Sequence, residues 1–380
     1  MKFIHVSDTH LGCEIPVKYR EIRKMDFLNA FKQVVDFAIK EKVNFIIHSG
    51  DFLDDYFRIS SKIFLEILDL LFKLKENNIP FFFIKGNHDN KGQKQNVIEI
   101  IKKFKLIEEL NPLEPKVMKD FYIYGISEPS NIGGEELKIF YEKKLKEVKI
   151  DKTGFSIFLF HGVSTAIPGD ILKGYMKDPR VINHDFFPKV DLYGFGHFHT
   201  SFIKKDNSIL SLPGSTERTE ISEYEEKSSK GFFYFKDTEY EFINLNVRKV
   251  TLLEKRVEKE DDLDEIVKKI IEKSKDHLIK LKILYSRVMY DLIRKNIDNL
   301  LSLGYMIIDE LYPEDYNEEI NIMEDKVVFE DIIEKMIISE NDKKELINLY
   351  NKIKYLFEEY YSDRTNSLER IRESLFKELI

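Results

Sequence analysis

Residues 2–10, KFIHVSDTH, place the apolar Phe3, Ile4 and Val6 ahead of a carboxylate and an imidazole, Asp8 and His10. The same grammar returns in NFIIHSGD (44–51), IPFFFIKGNHD (79–89), SIFLFHG (156–162) and LYGFGHFH (192–199). Short apolar runs of this kind read as buried strands, and each delivers polar residues at its carboxyl end. Between the first three lie MDFLNAFKQVVDFAIKE (25–41) and KIFLEILDLLFKLKENN (62–78), whose apolar residues recur at helical spacing. Strand, helix, strand, helix, strand predicts βαβ units and a largely parallel sheet. From Phe121 to about Leu245 short strands separated by turn residues take over, and predict a second, more antiparallel sheet packed on the first. The fold class expected is therefore α/β, with two packed mixed sheets flanked by helices.

Beyond this core, residues 247–312 read β-α-β-α-β and form a separate small α/β unit. The acidic, Asn-rich stretch 313–325 reads as a linker, and 326–380 holds two or three helical segments. The expected domains are 1–246, 247–312, the linker 313–325 and the helical region 326–380. A length of 380 residues suits two or three domains. In the last region Leu346, Leu349, Tyr350, Ile353, Leu356, Phe357 and Tyr360 recur at helical spacing, as do Leu368, Ile371, Leu375 and Leu379. Such stripes need an apolar partner, either this chain's own body or another protein.

The net charge of −8 is misleading for the body of the chain, because residues 313–345 contain twelve acidic and four basic residues and account for all of it. Phosphate affinity must then come from local groups and bound cations. The single cysteine, Cys13, permits no disulfide within one chain. With no signal-type apolar run ahead of the first strand and no apolar stretch long enough to span a bilayer, a reducing, cytoplasmic setting without membrane contact is expected. Abundant Lys and Glu with little Gln fit a thermophile, or an AT-rich coding sequence.

Five motifs carry the chemistry: Asp8-Thr9-His10, Gly50-Asp51, Gly86-Asn87-His88-Asp89, His161-Gly162 and Gly196-His197-Phe198-His199. Loops at the carboxyl ends of strands in an open α/β sheet converge on one crevice. Residues two apart in extended chain point to the same side, so the pairs Asp8/His10 and His197/His199 can each reach a common centre. Adjacent glycines allow close backbone approach. A D-x-H or G-D alone carries little; all five in order at strand ends describe a metal site, since no packing rule asks for so many polar residues there. Carboxylate, imidazole and amide without thiolate suit Mn²⁺ above all, with Mg²⁺, Fe²⁺ or Zn²⁺ also accepted. The remaining histidines read as structural: His5 and His48 as hydrogen-bonded core residues, His184 and His277 as surface residues. Cys13 reads as a small packing residue.

The order DTH, GD, GNHD, HG, GHFH over about the first 235 residues closely resembles the calcineurin-like metallophosphoesterase superfamily. Within it, DTHLG (8–12), PGSTER (213–218) and KGFFYF (230–235) resemble the Mre-eleven/SbcD nucleases of double-strand-break repair. The resemblance implies two Mn²⁺ per chain, one held by Asp8, His10, Asp51 and His199 and the other by Asp51, Asn87, His161 and His197. Asp51 would bridge them, and His88 would be a catalytic histidine that is not a ligand. Asp89 would orient His88 or cap a following helix. Some relatives carry a histidine shortly after the GD motif, whereas this chain reads Gly50-Asp51-Phe52-Leu53-Asp54-Asp55, and it lacks there the arginine of protein phosphatases.

The resemblance further implies a 3′-to-5′ exonuclease and single-strand endonuclease acting on DNA ends and a homodimer. The unit 247–312 would cap the DNA, and the C-terminal helices would dock on a Rad-fifty-type ABC ATPase. Lys18, Tyr19, Arg20, Arg23 and Arg58 follow the first two metal loops and are candidates for DNA phosphate contacts, as against a solvated loop. Arg218 is expected to pair with Glu217 or Glu220. A general phosphodiesterase on nucleotides or small phosphate esters, and a DNA-tethering scaffold with structural metals, are the alternative functions.

Overall fold

In the computed structural model, the first strand is covered on both faces, which explains why apolar residues occupy both: Ile4 and Val6 meet helices, and Phe3 faces a second sheet. Residues 1–314 are described except 55–58, 90–96, 152, 174 and 238. The predicted helices of 326–380 and the candidate Arg58 therefore lie outside the described residues. Met1–Tyr312 form one compact unit.

The strands in chain order are β1 (Lys2–Val6), β2 (Phe45–His48), β3 (Phe81–Phe83), β4 (Glu108–Glu109), β5 (Lys116–Met118), β6 (Phe121–Ile126) and β7 (Phe155–Phe160). After the short pair β8 (Val163–Ser164) and β9 (Val181–Ile182) come β10 (Leu192–Phe195), β11 (Phe202–Lys205), β12 (Ile209–Leu212), β13 (Gly231–Lys236) and β14 (Glu239–Asn244). The first sheet has the order β14-β13-β1-β2-β3-β4 and the second β11-β12-β10-β7-β6-β5. Two packed mixed sheets flanked by helices are what the sequence predicts.

Several details differ from the expectation, among them a helix at Gly134–Glu147 where only short strands and turns are predicted. The second sheet is parallel through its middle, from β12 through β10 and β7 to β6, and antiparallel only at the outer strands β11 and β5. The hairpin β13–β14, expected in that second sheet, instead closes the first, with β13 antiparallel to β1. Short strands between turn residues carry no signature of pairing direction, and partner choice depends on distant residues.

Helix α1 (Arg20–Glu41) starts five residues before the predicted span, and α2 (Ser61–Glu76) is capped by Ser60, whose hydroxyl accepts from the Ile63 amide at 3.4 Å. Both cover the outer face of the first sheet through Phe31, Val34, Val35, Ile67 and Leu71, joined by Ile98 and Ile101 of α3 (Val97–Lys103). Helix α4 (Gly134–Glu147) covers the second sheet through Leu137, Tyr141 and Leu145. Between the sheets Phe3, Phe45, Ile47, Phe82, Ile157, Leu159, Leu192 and Phe233 form a dry layer, giving four layers in all.

Residues 250–313 add a three-stranded sheet, β15 (Val250–Val257), β16 (Leu278–Tyr285) and β17 (Met306–Pro313), in that order. The helices Glu260–Ile271 and Tyr290–Ser302 share with it a cluster built on Ile266, Ile270, Ile283, Ile293 and Ile297. Tyr19 ties this unit to the body: its hydroxyl donates to the Ile307 carbonyl at 3.0 Å and accepts from the Ile307 amide at 2.8 Å. Arg248 adds a second tie, donating to Asp26 at 2.6 and 2.8 Å and to the Asp276 carbonyl at 2.6 Å. No helix among the described residues is long and apolar enough to cross a membrane.

His5 is fully buried in the dry layer and pins it, with Nδ1 2.7 Å from Ser211 Oγ on β12 and Nε2 2.7 Å from Ser49 Oγ. Burial pushes its pKa from the ordinary 6.5 down to about 3. The unfolded chain therefore binds a proton between these values that the folded chain refuses, so stability falls as pH drops below 6.5. By pH 5 the His5 contribution costs about 2 kcal/mol. Thermal unfolding followed from pH 7 to pH 5, above the carboxylate range, is expected to show that slope in the wild type and a flatter one in His5→Gln.

Candidate metal centre

Each of the five motifs leaves the carboxyl end of a strand: β1, β2 and β3 in the first sheet, β7 and β10 in the second. Because these strands run parallel within their sheets, their ends open on the same edge of the two-sheet stack. The loops are knitted to one another before any side chain is considered. The Asp8 amide donates to the Gly50 carbonyl at 3.0 Å, the His10 amide to the Asp51 carbonyl at 3.1 Å and the Leu11 amide to the Phe52 carbonyl at 3.0 Å. Asp8, His10, Asp51 and His197 all have left-handed backbone, with φ of 50°, 41°, 55° and 74°. Such conformations cost of order 1–3 kcal/mol each and persist where the surroundings enforce them.

Glycine is required where the cradle is tightest. A Cβ at Gly50, where φ is +94°, would sit 2.4 Å from His161 Nδ1, and one at Gly86 would sit 2.3 Å from Asp51 Oδ1.

Three sets of side chains converge with ligand atoms within 4.8 Å of one another: Asp8, His10 and His199; His10, Asp51 and His88; and Asp51, His161 and His197. Asn87 joins the last, with Oδ1 3.1 Å from His161 Nε2. Asp51 lies between the groups, its Oδ2 3.3 Å from His161 Nε2 and 3.7 Å from His10 Nε2. All seven predicted ligands and His88 are thus brought together. The spacing rule for one pair does not hold. His197 and His199 are not side by side on extended chain but enter different sets, because the left-handed turn at His197 swings the two rings apart.

The donor chemistry fits divalent cations. His161 Nδ1 donates to the Ser49 carbonyl at 2.8 Å, so the neutral ring aims a lone pair from Nε2 at two oxygens, of Asn87 and Asp51. His10 Nδ1 faces the Asp54 carboxylate at 3.0 Å, which leaves Nε2 as a lone pair 3.2 Å from His199 Nε2. His197 Nε2 faces Asp178 at 3.0 Å, which leaves Nδ1 free, and His199 Nδ1 pairs with Thr219 Oγ1 at 2.7 Å. Every imidazole has its other nitrogen held by a partner, as metal-ligating histidines do. Acceptors crowded against acceptors repel one another until a cation, or a proton, lies among them.

The titration behaviour expresses the same need. Burial works to lower the His161 pKa, yet the Asp51 and Asp8 carboxylates outweigh it and push it up to about 10. Burial works to raise the Asp51 pKa, and His161, His10 and His88 outweigh it and hold it well below the usual range. Without a metal, protons on the histidines thus stand where cations would.

Asp89 was open to two roles in sequence, orienting His88 or capping a following helix, and residues 90–96, where such a helix would start, lie outside the described residues. Asp89 is fully buried and accepts from the amides of Phe52, Leu53 and Gly86 at 3.1, 2.8 and 3.0 Å, stapling the GD loop to the GNHD loop. Burial and the neighbouring Asp51 push its pKa up to about 7. His88 instead points Nδ1 at the carbonyl of Asp54, 2.8 Å away. Asp54, Asp178 and Thr219 are functional candidates that no sequence motif marks. Asp54 stood in the departure from the relatives' pattern, and only contact reveals the other two.

The DNA-contact candidates fare unevenly. Arg23 is buried and donates to Asp26 at 2.8 Å and to the Ile15 carbonyl at 3.1 Å, so it holds the loop and cannot meet a phosphate. The Tyr19 hydroxyl is taken by β17. Lys18 and Arg20 are exposed, with Lys18 3.5 Å from Asp309. Arg218 pairs with neither predicted carboxylate through its guanidinium, which donates to the carbonyls of Glu225, Arg248 and Ser228 at 2.7, 2.9 and 3.2 Å. His5 and His48 are buried, and His48 Nε2 meets Thr9 Oγ1 at 3.1 Å. His184 and His277 are half-buried rather than surface residues. Cys13 is buried, and desolvation first, then Asp54, pushes its thiol up to about 12, as suits an inert packing residue.

Comparison with known proteins gives a match of residues 1–201 to the calcineurin-like phosphoesterase family. The chain is 30% identical over 292 residues to the DNA double-strand break repair protein Mre11 of Sulfolobus acidocaldarius, covering 73% of this chain and 72% of that protein. It is 32% identical over 285 residues to the protein of that name from Saccharolobus solfataricus, covering 70% and 71%. With that of Methanococcus maripaludis the identity is 27% over 378 residues, covering 93% and 95%.

Gly86→Ala tests the cradle by sterics alone, since the added methyl meets the Asp51 carboxylate in a position that has ordinary backbone. It is expected to lower divalent-metal affinity by at least about tenfold, the scale seen when ligand placement is disturbed. Elemental analysis after dialysis, with circular dichroism to confirm the fold, reads the outcome, and full occupancy would contradict the geometry given above.

Proposed function

The chain belongs to the calcineurin-like phosphoesterase family, in its Mre-eleven branch, and from that premise we propose that it is a Mn²⁺-dependent DNA nuclease. It acts as a 3′-to-5′ exonuclease and single-strand endonuclease in the processing of double-strand breaks. The observation that carries this reading is the position of the Asp51 carboxylate between two sets of ligands, with His88 at their margin. Two cations placed in this way, with a proton donor beside them, can clamp and hydrolyse a phosphodiester.

In this reading Asp8, His10, Asp51 and His199 would hold one Mn²⁺, and Asp51, Asn87, His161 and His197 the other, with Asp51 common to both sets. When bound, the two cations would neutralise charge on the phosphate and activate water. His88 is not a ligand. Its Nδ1 donates to the Asp54 carbonyl, and at the margin of the centre the protonated ring can stabilise phosphate charge or protonate the leaving sugar oxygen. The left-handed turns and the inter-loop amide bonds hold these groups before substrate arrives, so little reorganisation accompanies the reaction.

The proposed division is a nuclease domain 1–246, a DNA-capping domain 247–312, a linker 313–325 and an ATPase-binding region 326–380 that docks on a Rad-fifty-type ABC ATPase. Lys18 and Arg20 remain the DNA-contact candidates among the described residues. Dimerisation through the catalytic domain is supported by exposed apolar side chains on neighbouring helices. Leu65 and Phe72 of α2 and Ile100 of α3 are 60%, 37% and 44% exposed, Phe104 just beyond α3 is 50% exposed, and the rings of Phe72 and Phe104 lie 6.2 Å apart.

Labelled DNA bearing 3′, 5′, hairpin and single-stranded ends, assayed beside p-nitrophenyl phosphate esters over a metal series, separates the nuclease from a general phosphodiesterase. Turnover of the esters with intact DNA would overturn the nuclease reading. In the same assay Asp51→Ala is expected to abolish cleavage. His88→Ala should keep both metals and slow cleavage by about 10²- to 10⁴-fold, the range of a lost proton-transfer group. Unchanged cleavage in His88→Ala would show that catalysis does not use that residue as proposed, and DNA binding without cleavage by the wild type would favour the scaffold reading.

The dimer surface has its own measurement. Phe104→Asp should convert the dimer to a monomer in light scattering while leaving the thermal midpoint nearly unchanged, and a dimer that persists would place the interface elsewhere.

A further inference from the structure

We propose that a cavity at the joint between the body and the 250–313 sheet is a binding site for a small oxyanion of the phosphate type, received by the buried guanidinium of Arg218. The cavity measures about 260 Å³. Ile15, Pro16 and Ile221 of the body line one side, and Val250, Leu278 and Ile308, one from each of β15, β16 and β17, line the other. The rest of the lining is charged and comprises Arg23, Arg218 and Lys280 with Glu220 and Glu310. Pockets for drug-sized ligands run from about 300 to 1,000 Å³, so this one suits an ion with a few waters rather than a nucleotide.

The charge balance around the cavity calls for an anion. Arg218 is 8% exposed, and its guanidinium donates only to carbonyls, those of Glu225, Arg248 and Ser228 at 2.7, 2.9 and 3.2 Å. Three of the five N–H groups of a guanidinium are thereby used, and among the described residues no carboxylate is in ion-pair contact with it. The buried carboxylates nearby are committed elsewhere. Asp26 is shared by Arg23 at 2.8 Å and Arg248 at 2.6 Å, Glu217 lies 3.7 Å from Arg23, and Glu225 is bound by Lys230 at 2.8 Å. Four cations thus face three carboxylates, and burial pushes the Glu217 carboxyl above its ordinary value, which lessens the negative charge further. The two acids of the lining do not make up the difference. Glu310 pairs with Lys280 at 2.7 Å, and Glu220 is exposed to solvent, where it accepts from the Ser222 hydroxyl at 2.9 Å. Arg23 has Asp26, so Arg218 is the group left to receive the ion. An unpaired buried charge is costly, and the guanidinium fork matches the oxygens of an oxyanion. Walled by residues of both parts, the ion adds to the ties that Tyr19 and Arg248 make between them.

Equilibrium dialysis of the metal-stripped full chain against radiolabelled inorganic phosphate counts the ions bound per chain, with circular dichroism to confirm the fold of each variant. Arg218→Met, which keeps the length of the side chain and removes its charge, should bind one ion fewer than the wild type. Ile308→Phe, which keeps the guanidinium and fills the cavity, should lose the same ion, and it decides the matter should Arg218→Met not fold. Both readings are differences from the wild type, so phosphate held among the histidines of the metal centre cancels. A 5′-phosphorylated oligonucleotide then separates the two sources of the ligand. If it displaces the Arg218-dependent ion and its 5′-hydroxyl counterpart does not, the site takes the end of a DNA strand; if neither displaces it, the site takes the free ion, and either result upholds the site. A wild-type count in either folded variant, or a wild-type chain that binds no phosphate, overturns the proposal.

Discussion

Electrostatic frustration among acceptors governs the architecture of this protein. His161 Nε2 faces the oxygens of Asn87 and Asp51 at 3.1 and 3.3 Å, and His10 Nε2 faces another imidazole nitrogen at 3.2 Å. Groups that repel in one another's presence gather only where the backbone forces them to, and they become a cooperative cage once cations share them. The rest of the fold can be understood as what applies that force.

The force comes from two stacked sheets whose parallel strands end on a common edge. Ile4, Val6, Ile46 and Phe83 anchor the first sheet to its helices, while Phe3, Phe45, Ile157 and Leu192 lock it to the second. Buried apolar area of this extent supplies the free energy against which four left-handed ligand and near-ligand backbones can be maintained. Amide-to-carbonyl bonds between loops, and Asp89 clasping three amides, turn that global constraint into local placement. Catalytic pre-organisation and fold stability are therefore the same property seen at two scales.

A second constraint connects the centre to the sheet 250–313. The chain leaves His10, passes through the loop held by Arg23, and reaches Tyr19, whose hydroxyl substitutes for a strand partner at Ile307. Arg248 and the buried Asp26 reinforce that contact from α1. Basic and aromatic residues that in sequence looked like substrate contacts are here spent on holding two parts of the molecule in register.

Most of the longer strands, the helices α1 and α2 and the gathering of the motif side chains at one place were legible in the sequence, because apolar periodicity and a polar residue at a strand's end are local signals; α4 was not. Five motifs in fixed order pointed to the centre before any contact was known. Sheet membership was not legible: GFFYFK joins β1 across more than two hundred residues, and nothing in its composition names that partner. The buried role of Arg23, the stapling by Asp89 and the partners Asp54, Asp178 and Thr219 were likewise decided only in three dimensions. A residue's chemistry is written in its type, but whether a guanidinium meets a phosphate or a carbonyl, and which nitrogen of a histidine is free, depends on what long-range packing brings to within three ångströms of it.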